Sequence, residues 1–302
     1  MLSVISSVFD PLGIASPFVL PARILLQSLC KKEIGWDDQI GEENTPRWQQ
    51  WLEDLKLPDI LSVPRCLKPI TFVDVVSCQL HVFSDACAQG YGIAAYVRSV
   101  NTDAVANVEL LMGKARVAPL KKVTIPRMEL TVATIAVKFG YIIIQEMDYK
   151  FDQIRYWTES MSVLRYIQNT SSRFHTFVAN RLTTIHEASI PEQWSYVRTN
   201  HNPADMASRG LIFKNQGDTK MWLKGPEFLQ KEESAWPHTD VTNNITEDDP
   251  EIKKTSAAAV VEDRLASETT VDTLFKRFSS WSKLKRIVAW ILKGKGQSAT
   301  TS

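Results

Sequence analysis

Cys78-Gln79-Leu80-His81-Val82-Phe83-Ser84-Asp85, followed after four residues by Gly90-Tyr91-Gly92-Ile93-Ala94-Ala95-Tyr96-Val97, is the stretch on which the fold turns. Apolar and polar side chains alternate in the first run and strand-forming residues resume in the second, the pattern of two strands joined by a short turn. Outward from this hairpin, residues 108–117 read as a third strand, and Pro126 opens a long helix whose apolar run, 130–144, is broken by Lys138. That run is shorter than the ~20 residues a spanning helix needs, so it reads as a helix buried within a domain, and no membrane partner is expected. A short strand at 153–157, helices at 160–168 and 173–187, and a last strand at 193–198 lead to Asn202 and a short helix. This order suits an α/β fold, a mixed five-stranded sheet flanked by helices.

Ahead of the hairpin, 1–66 reads as a helical region punctuated by Pro11, Pro17 and Pro21, with Pro21 expected as the first residue of a helix reaching Cys30. Asn44-Thr45-Pro46 supplies a cap and an N1 proline for a second helix that carries Trp48, Trp51, Leu52 and Leu55 on one face. Residues 76–212 are expected to form the sheet domain and 213–302 an extension. The extension reads as a partly disordered linker, with 241–270 rich in Asn, Thr, Glu, Asp and Ala, and then an amphipathic helix through Leu274, Phe278, Trp281, Leu284, Val288 and Ile291. A docking role is the first reading of that helix, and a membrane-surface or nucleic-acid role is the alternative.

At 302 residues, 44% hydrophobic and 23% charged, the chain can bury a sizeable core, and 35 basic against 34 acidic residues leave a net charge of +1. Attraction to nucleic acid must then come from a local patch rather than a global field. The best one is Lys114, Arg116, Lys121, Lys122 and Arg127, five cations within fourteen residues that contain no Asp or Glu, although ordinary surface lysines read the same way. The four cysteines, Cys30, Cys66, Cys78 and Cys87, form no C-x-x-C pair and no zinc spacing with the five histidines, and no secretory signal precedes them. They are expected to be reduced and mostly buried, in a protein that stays inside the cell, in cytoplasm or nucleus.

Four acidic segments stand apart along the chain: Phe83-Ser84-Asp85-Ala86, Pro126-Arg127-Met128-Glu129-Leu130, Trp157-Thr158-Glu159-Ser160 and Asn202-Pro203-Ala204-Asp205. Asp85 is expected on the first strand, Glu129 in the first turn of the long helix, Glu159 just past the fourth strand and Asp205 on the final helix, all at one edge of the sheet. Converging carboxylates need cations between them, which points to metal-assisted cleavage of a phosphodiester. Taken singly, each is also an ordinary strand-end or helix-start residue. His201, four residues before Asp205, reads more simply as a capping or exposed residue than as a catalytic one.

With Val8-Phe9-Asp10-Pro11-Leu12-Gly13, Gly35-Trp36-Asp37-Asp38, Arg116-Val117-Ala118-Pro119, Ile125-Pro126-Arg127-Met128-Glu129-Leu130, Asn202-Pro203-Ala204-Asp205-Met206-Ala207-Ser208-Arg209-Gly210 and Trp222-Leu223-Lys224-Gly225-Pro226 in place, most of the chain resembles the Pol polyprotein of BEL/Pao long-terminal-repeat retrotransposons. The resemblance implies a segment that follows the reverse transcriptase palm, carries an RNase H-like domain and leads toward an integrase. Reverse transcriptase and integrase portions of the same polyprotein are then the implied partners, with an RNA/DNA hybrid as substrate. The implied catalytic and metal-binding residues are Asp85, Glu129, Glu159 and Asp205, holding Mg²⁺ or alternatively Mn²⁺, with no organic cofactor. The third position departs from the family, which has aspartate in a Trp-Thr-Asp-Ser setting. Glu159 adds a methylene that shifts the oxygens by more than ~1 Å on an unchanged backbone, against an ion that tolerates little misplacement. The two readings that follow are a ribonuclease acting on RNA/DNA hybrids and a catalytically weakened domain that binds nucleic acid or scaffolds a reverse transcriptase. An aspartic protease, which such a polyprotein also contains, is excluded, because Ser84-Asp85-Ala86 lacks the glycine of an Asp-Thr-Gly or Asp-Ser-Gly loop.

Overall fold

The computed structural model describes residues 1–35, 37–55, 63, 66–68, 72, 74–211, 216–239, 245, 248–253, 285–286 and 289–290. Met1–Lys254 form one compact unit, and Thr255–Ser302 a second, of which the described residues are helical. Trp36, most of the expected linker at 241–270, and Leu274, Phe278, Trp281, Leu284, Val288 and Ile291 of the expected terminal helix lie outside the described residues.

In the first unit β1 (Val75–Ala86), β2 (Gly90–Asn101) and β3 (Ala106–Val117) form an antiparallel meander, and β4 (Gln153–Thr158) and β5 (Trp194–Tyr196) add in parallel, giving the order β3-β2-β1-β4-β5. This is the mixed five-stranded sheet expected. Strand β1 sits at its centre and is buried on both faces, Leu80 and Val82 in one core and Phe83 in the other. The first core lies under α4 (Ile125–Glu146), α5 (Met161–Gln168) and α6 (Thr176–Ala188). The second lies under α2 (Ser16–Lys31), α7 (Pro203–Arg209) and α8 (Gln216–Lys224), with Trp222 and Leu229 fully buried in it. Helix α1 (Leu2–Ser7) and α3 (Thr45–Asp54) close a small cluster on the far side of α2, where Trp51 Nε1 donates to Phe18 O at 2.8 Å.

Several local expectations change. Helix α2 starts at Ser16, so Pro21 lies inside it rather than at its first position. Proline lacks the N–H that would bond the carbonyl four residues back, and that carbonyl, Pro17 O, instead accepts from Leu211 N at 3.0 Å. Asn44 is the N-cap of α3, yet its side chain makes no cap bond and donates to Glu43 instead. Only Cys78 of the four cysteines is buried; Cys30 and Cys66 are exposed. Helix α4 runs for 22 residues, long and apolar enough by length and composition to cross a membrane; here it packs on β1 and β2 with Leu130, Ala133, Ala136 and Val137 fully buried. Helix α6 begins three residues later than expected, because Phe174 pairs with Ile252 in an isolated antiparallel bridge and His175 N donates to Glu251 O. Strand β5 is only three residues long.

The outer edge of β3 is met by the loop after α1. Gly113 N donates to Leu12 O at 2.8 Å, and a Cβ on Gly113 would stand 2.6 Å from Gly13 O and 2.5 Å from Trp222 Cζ2. Trp222 Nε1 in turn donates to Ile14 O at 2.7 Å. On the central strand β1, His81 is fully buried and neutral, pulled well below the usual histidine range by burial first and by Arg98 and Arg155 after it. Since Trp157 Nε1 can only donate, His81 Nδ1 accepts its proton at 3.1 Å and Nε2 faces Gln79 Oε1. Arg98 completes the set, donating to Gln79 Oε1 and to the carbonyls of Leu229 and Lys231, which fastens the stretch after α8 onto the sheet.

Candidate metal centre

Parallel pairing of β1 with β4 aligns Ser84 with Thr158, so the residues that follow, Asp85 on β1 and Glu159 just past the end of β4, emerge side by side at the same end of the sheet. Asp205 arrives on α7, and glycine decides how close that helix comes. Gly92 is the register partner of Asp85, and a Cβ there would lie 2.5 Å from both Ala204 O and Ala207 Cβ. With glycine below and Ala204 and Ala207 above, α7 rests directly on the strand backbone. Asn202 fixes its start: Oδ1 accepts from Ala204 N at 3.1 Å as the N-cap, Pro203 follows at the first helical position, and Nδ2 points at Ser84 O and Glu159 Oε1, each at 3.4 Å.

The outcome is that Asp85, Glu159 and Asp205 each offer a carboxylate oxygen within 4.8 Å of the others. Glu129 stands beside this group and not within it. It lies one turn into α4 rather than in the first turn, so the helix-end dipole does not account for it, and its Oε2 accepts from Ser160 Oγ at 2.7 Å. Ser160 also caps α5 by accepting from Val163 N. The extra methylene of Glu159 does not carry its oxygens out of the cluster, because Thr199 Oγ1 donates to Oε2 and Asn202 faces Oε1.

Burial, followed by the adjoining Glu159 and then Asp205, pushes the Asp85 carboxyl up to about 8, against the opposing hydrogen bond from Ser208 Oγ. Burial also raises Glu129, assisted by Glu159 and opposed by Ser160. Arg209 offsets one charge, since its Nε donates to Asp205 Oδ1 one turn away on α7. A buried carboxyl crowded by two others, in a donor set made entirely of oxygen, fits a hard divalent cation. Ser160, Thr199, Asn202, Ser208 and Arg209 complete the site without belonging to the carboxylate set that the sequence predicts. Asn202 ahead of Pro203 is the one local signal that could have singled out a member of this set.

His201 lies in the short turn Thr199–His201 and packs edge-on against Phe228 at 6.2 Å. The five expected phosphate contacts differ in their surroundings. Arg116, Lys121 and Lys122 are exposed; Lys114 is half-buried over the Phe139 ring, and burial followed by Arg116 pulls it down. Arg127 is turned to Glu251, Nε to Oε1 at 2.6 Å and Nη2 to Oε2 at 3.0 Å.

Residues 1–160 match the family described as a Pao retrotransposon-like RNaseH-like domain. The match includes Asp85, Glu129 and Glu159 and stops short of Asp205. No curated protein matches the chain. Solved structures that are similar include the N-terminal RNase H domain of a Mycobacterium tuberculosis protein (12% identity, 44% of this chain and 94% of that one, TM-score 0.31). An RNase H1 isolated from compost gives 12% identity over 46% of this chain and 96% of its own, with a TM-score of 0.31. RNase H1 of the archaeon Halobacterium salinarum gives 13% identity over 43% and 93%, with a TM-score of 0.27.

Proposed function

Since the chain belongs to the Pao retrotransposon-like RNase H-like domain family, we propose that it is a metal-dependent endonuclease that hydrolyses the RNA strand of RNA/DNA hybrids. The observation that carries this reading is the convergence of Asp85, Glu159 and Asp205 at one sheet edge. These three would hold the cation, Mg²⁺ or Mn²⁺, with Glu129 supporting from α4 through its bond to Ser160. When bound, divalent cations supply a water activated for in-line attack on the phosphodiester and stabilise the leaving 3′ oxygen. Asn202 and Thr199 hold Glu159 in place, and Ser208 holds Asp85. Arg116, Lys121 and Lys122 would take phosphates of the hybrid, and contacts to 2′-hydroxyls would select RNA. As part of a Pol polyprotein, the domain would work between reverse transcriptase and integrase portions.

Cleavage of an end-labelled hybrid in Mg²⁺ tests the proposal. Asp85→Asn should abolish cleavage, and Glu159→Asp should preserve or raise it. Failure of both the native protein and Glu159→Asp to cut would sink the enzyme reading. A second reading, a nucleic-acid-binding or scaffolding domain without turnover, is favoured by the Arg209 bond to Asp205, which occupies one oxygen of a required ligand. Hybrid binding retained without cleavage would support it.

A further inference from the structure

Arg127 is the one member of the basic stretch whose fork is spoken for, and its partner comes from far along the chain. Glu247-Asp248-Asp249-Pro250-Glu251 places four carboxylates in five residues. Residues 248–253 of this region fold back onto α4, α5 and α6 through three separate fastenings. Glu251, only 8% exposed, grips Arg127 with both oxygens, at 2.6 and 3.0 Å. Tyr166 OH donates to the Asp249 carboxylate, 2.9 Å from Oδ2 and 3.1 Å from Oδ1. The backbone pairs as well, His175 N to Glu251 O at 2.9 Å and Lys253 N to Arg173 O at 2.7 Å.

A guanidinium that holds a carboxylate by two parallel bonds presents the same geometry to a phosphate. Arg127 also lies two residues from Glu129, on the helix that borders the carboxylate cluster. We propose that residues 248–253 form an acidic strap that occupies Arg127 in place of a nucleic-acid phosphate, and that the phosphate backbone of a hybrid displaces Glu251 to gain this contact. The proposal rests on the hybrid-binding reading given above. Only the Arg127 arm need open: the Tyr166 bond and the backbone pairing would keep the strap close by, so that it re-engages when the polyanion leaves.

The test is binding of a fluorescent RNA/DNA hybrid by the full chain without added divalent metal, followed by anisotropy across a salt series. Glu251→Gln should bind several-fold more tightly, and its slope of log affinity against log salt should steepen by roughly one phosphate contact. Arg127→Gln combined with Glu251→Gln should lose that gain. Tyr166→Phe loosens the Asp249 arm while leaving the ring in place, so it should shift affinity in the same direction by less, and it decides the matter if Glu251→Gln fails to fold. If Glu251→Gln and Tyr166→Phe bind with native affinity and slope, the strap is refuted while hybrid binding stands. A gain that persists without Arg127 refutes it too. If neither the native protein nor any variant binds, the hybrid reading falls and the strap falls with it.

Discussion

Adding Mg²⁺ to the metal-free protein at pH 7 should expel most of a proton per site, because a group with a pKa near 8 is mostly protonated there and must ionise to coordinate. The group is Asp85, held up to about 8 by burial first and Glu159 second. Below that value each unit of pH should change the apparent affinity about tenfold, with the gain tapering above pH 8. The sign for stability follows from the same shift. Folding raises the Asp85 pKa above the ordinary 3.8, so the folded, metal-free chain keeps a proton that the unfolded chain has lost. Its favourable contribution is complete below 3.8 and is lost as pH rises toward 8. Mg²⁺ should reverse that loss, and Asp85→Asn, which imitates the protonated carboxyl, should remove this share of the pH slope, leaving the smaller part owed to Glu129 and Asp10, and should abolish the Mg²⁺ response. Titration calorimetry in two buffers of different ionisation enthalpy counts the protons, and thermal melts from pH 4 to 9 follow the stability. Release below about 0.2 proton at pH 7, or an affinity flat between pH 6 and 8, would refute the reasoning.

Gly92→Ala places a Cβ 2.5 Å from Ala204 O and from Ala207 Cβ; it should push α7 off the sheet, cost roughly 1–3 kcal/mol in urea unfolding and weaken Mg²⁺ binding, since Asp205 moves with the helix. Trp222→Ala removes a fully buried indole that also bonds Ile14 O, and a loss of about 3–5 kcal/mol is expected in the same assay. Replacing both Lys121 and Lys122 by Gln should lower hybrid affinity for every sequence alike and reduce the salt slope by about two contacts, while the melting temperature stays at the native value.

The sheet was legible because its signal is local. The alternation from Cys78 to Asp85 and the Gly90-Tyr91-Gly92 return are contained in twenty residues, and the short strand just before Glu159 stands out in its own window, whereas its parallel pairing with β1 is visible only in the fold. What escaped depends on contacts between distant segments. A helix start at Ser16 requires Leu211 N to satisfy the carbonyl that Pro21 cannot, and no window around Pro21 contains Leu211. Arg127 reads as a cation available to phosphate because its partner, Glu251, comes from a distant segment, brought in by the bridge between Phe174 and Ile252, the backbone bonds at His175 and Lys253 and the Tyr166 bond to Asp249. Ser208 and Thr199 are ordinary hydroxyls in sequence; α7 brings Ser208 to Asp85, and the short turn ahead of that helix brings Thr199 to Glu159. Trp222 and Leu229 have no long apolar period around them, yet single large side chains from that stretch fill the second core.

Gly113 on the outermost strand is closed from two directions, by Leu12 and Gly13 near the start of the chain and by Trp222 after the last strand. A sheet edge with open backbone groups invites pairing with other chains until something covers it. During synthesis the arm that covers β3 is ready early, but the indole that wedges it in place emerges after all five strands. From the completion of β3 at Val117 until Trp222 is made, roughly a third of the chain, the nascent protein therefore carries an incompletely fastened margin, and a ribosome stalled before Trp222 would present a nearly complete sheet primed for self-association.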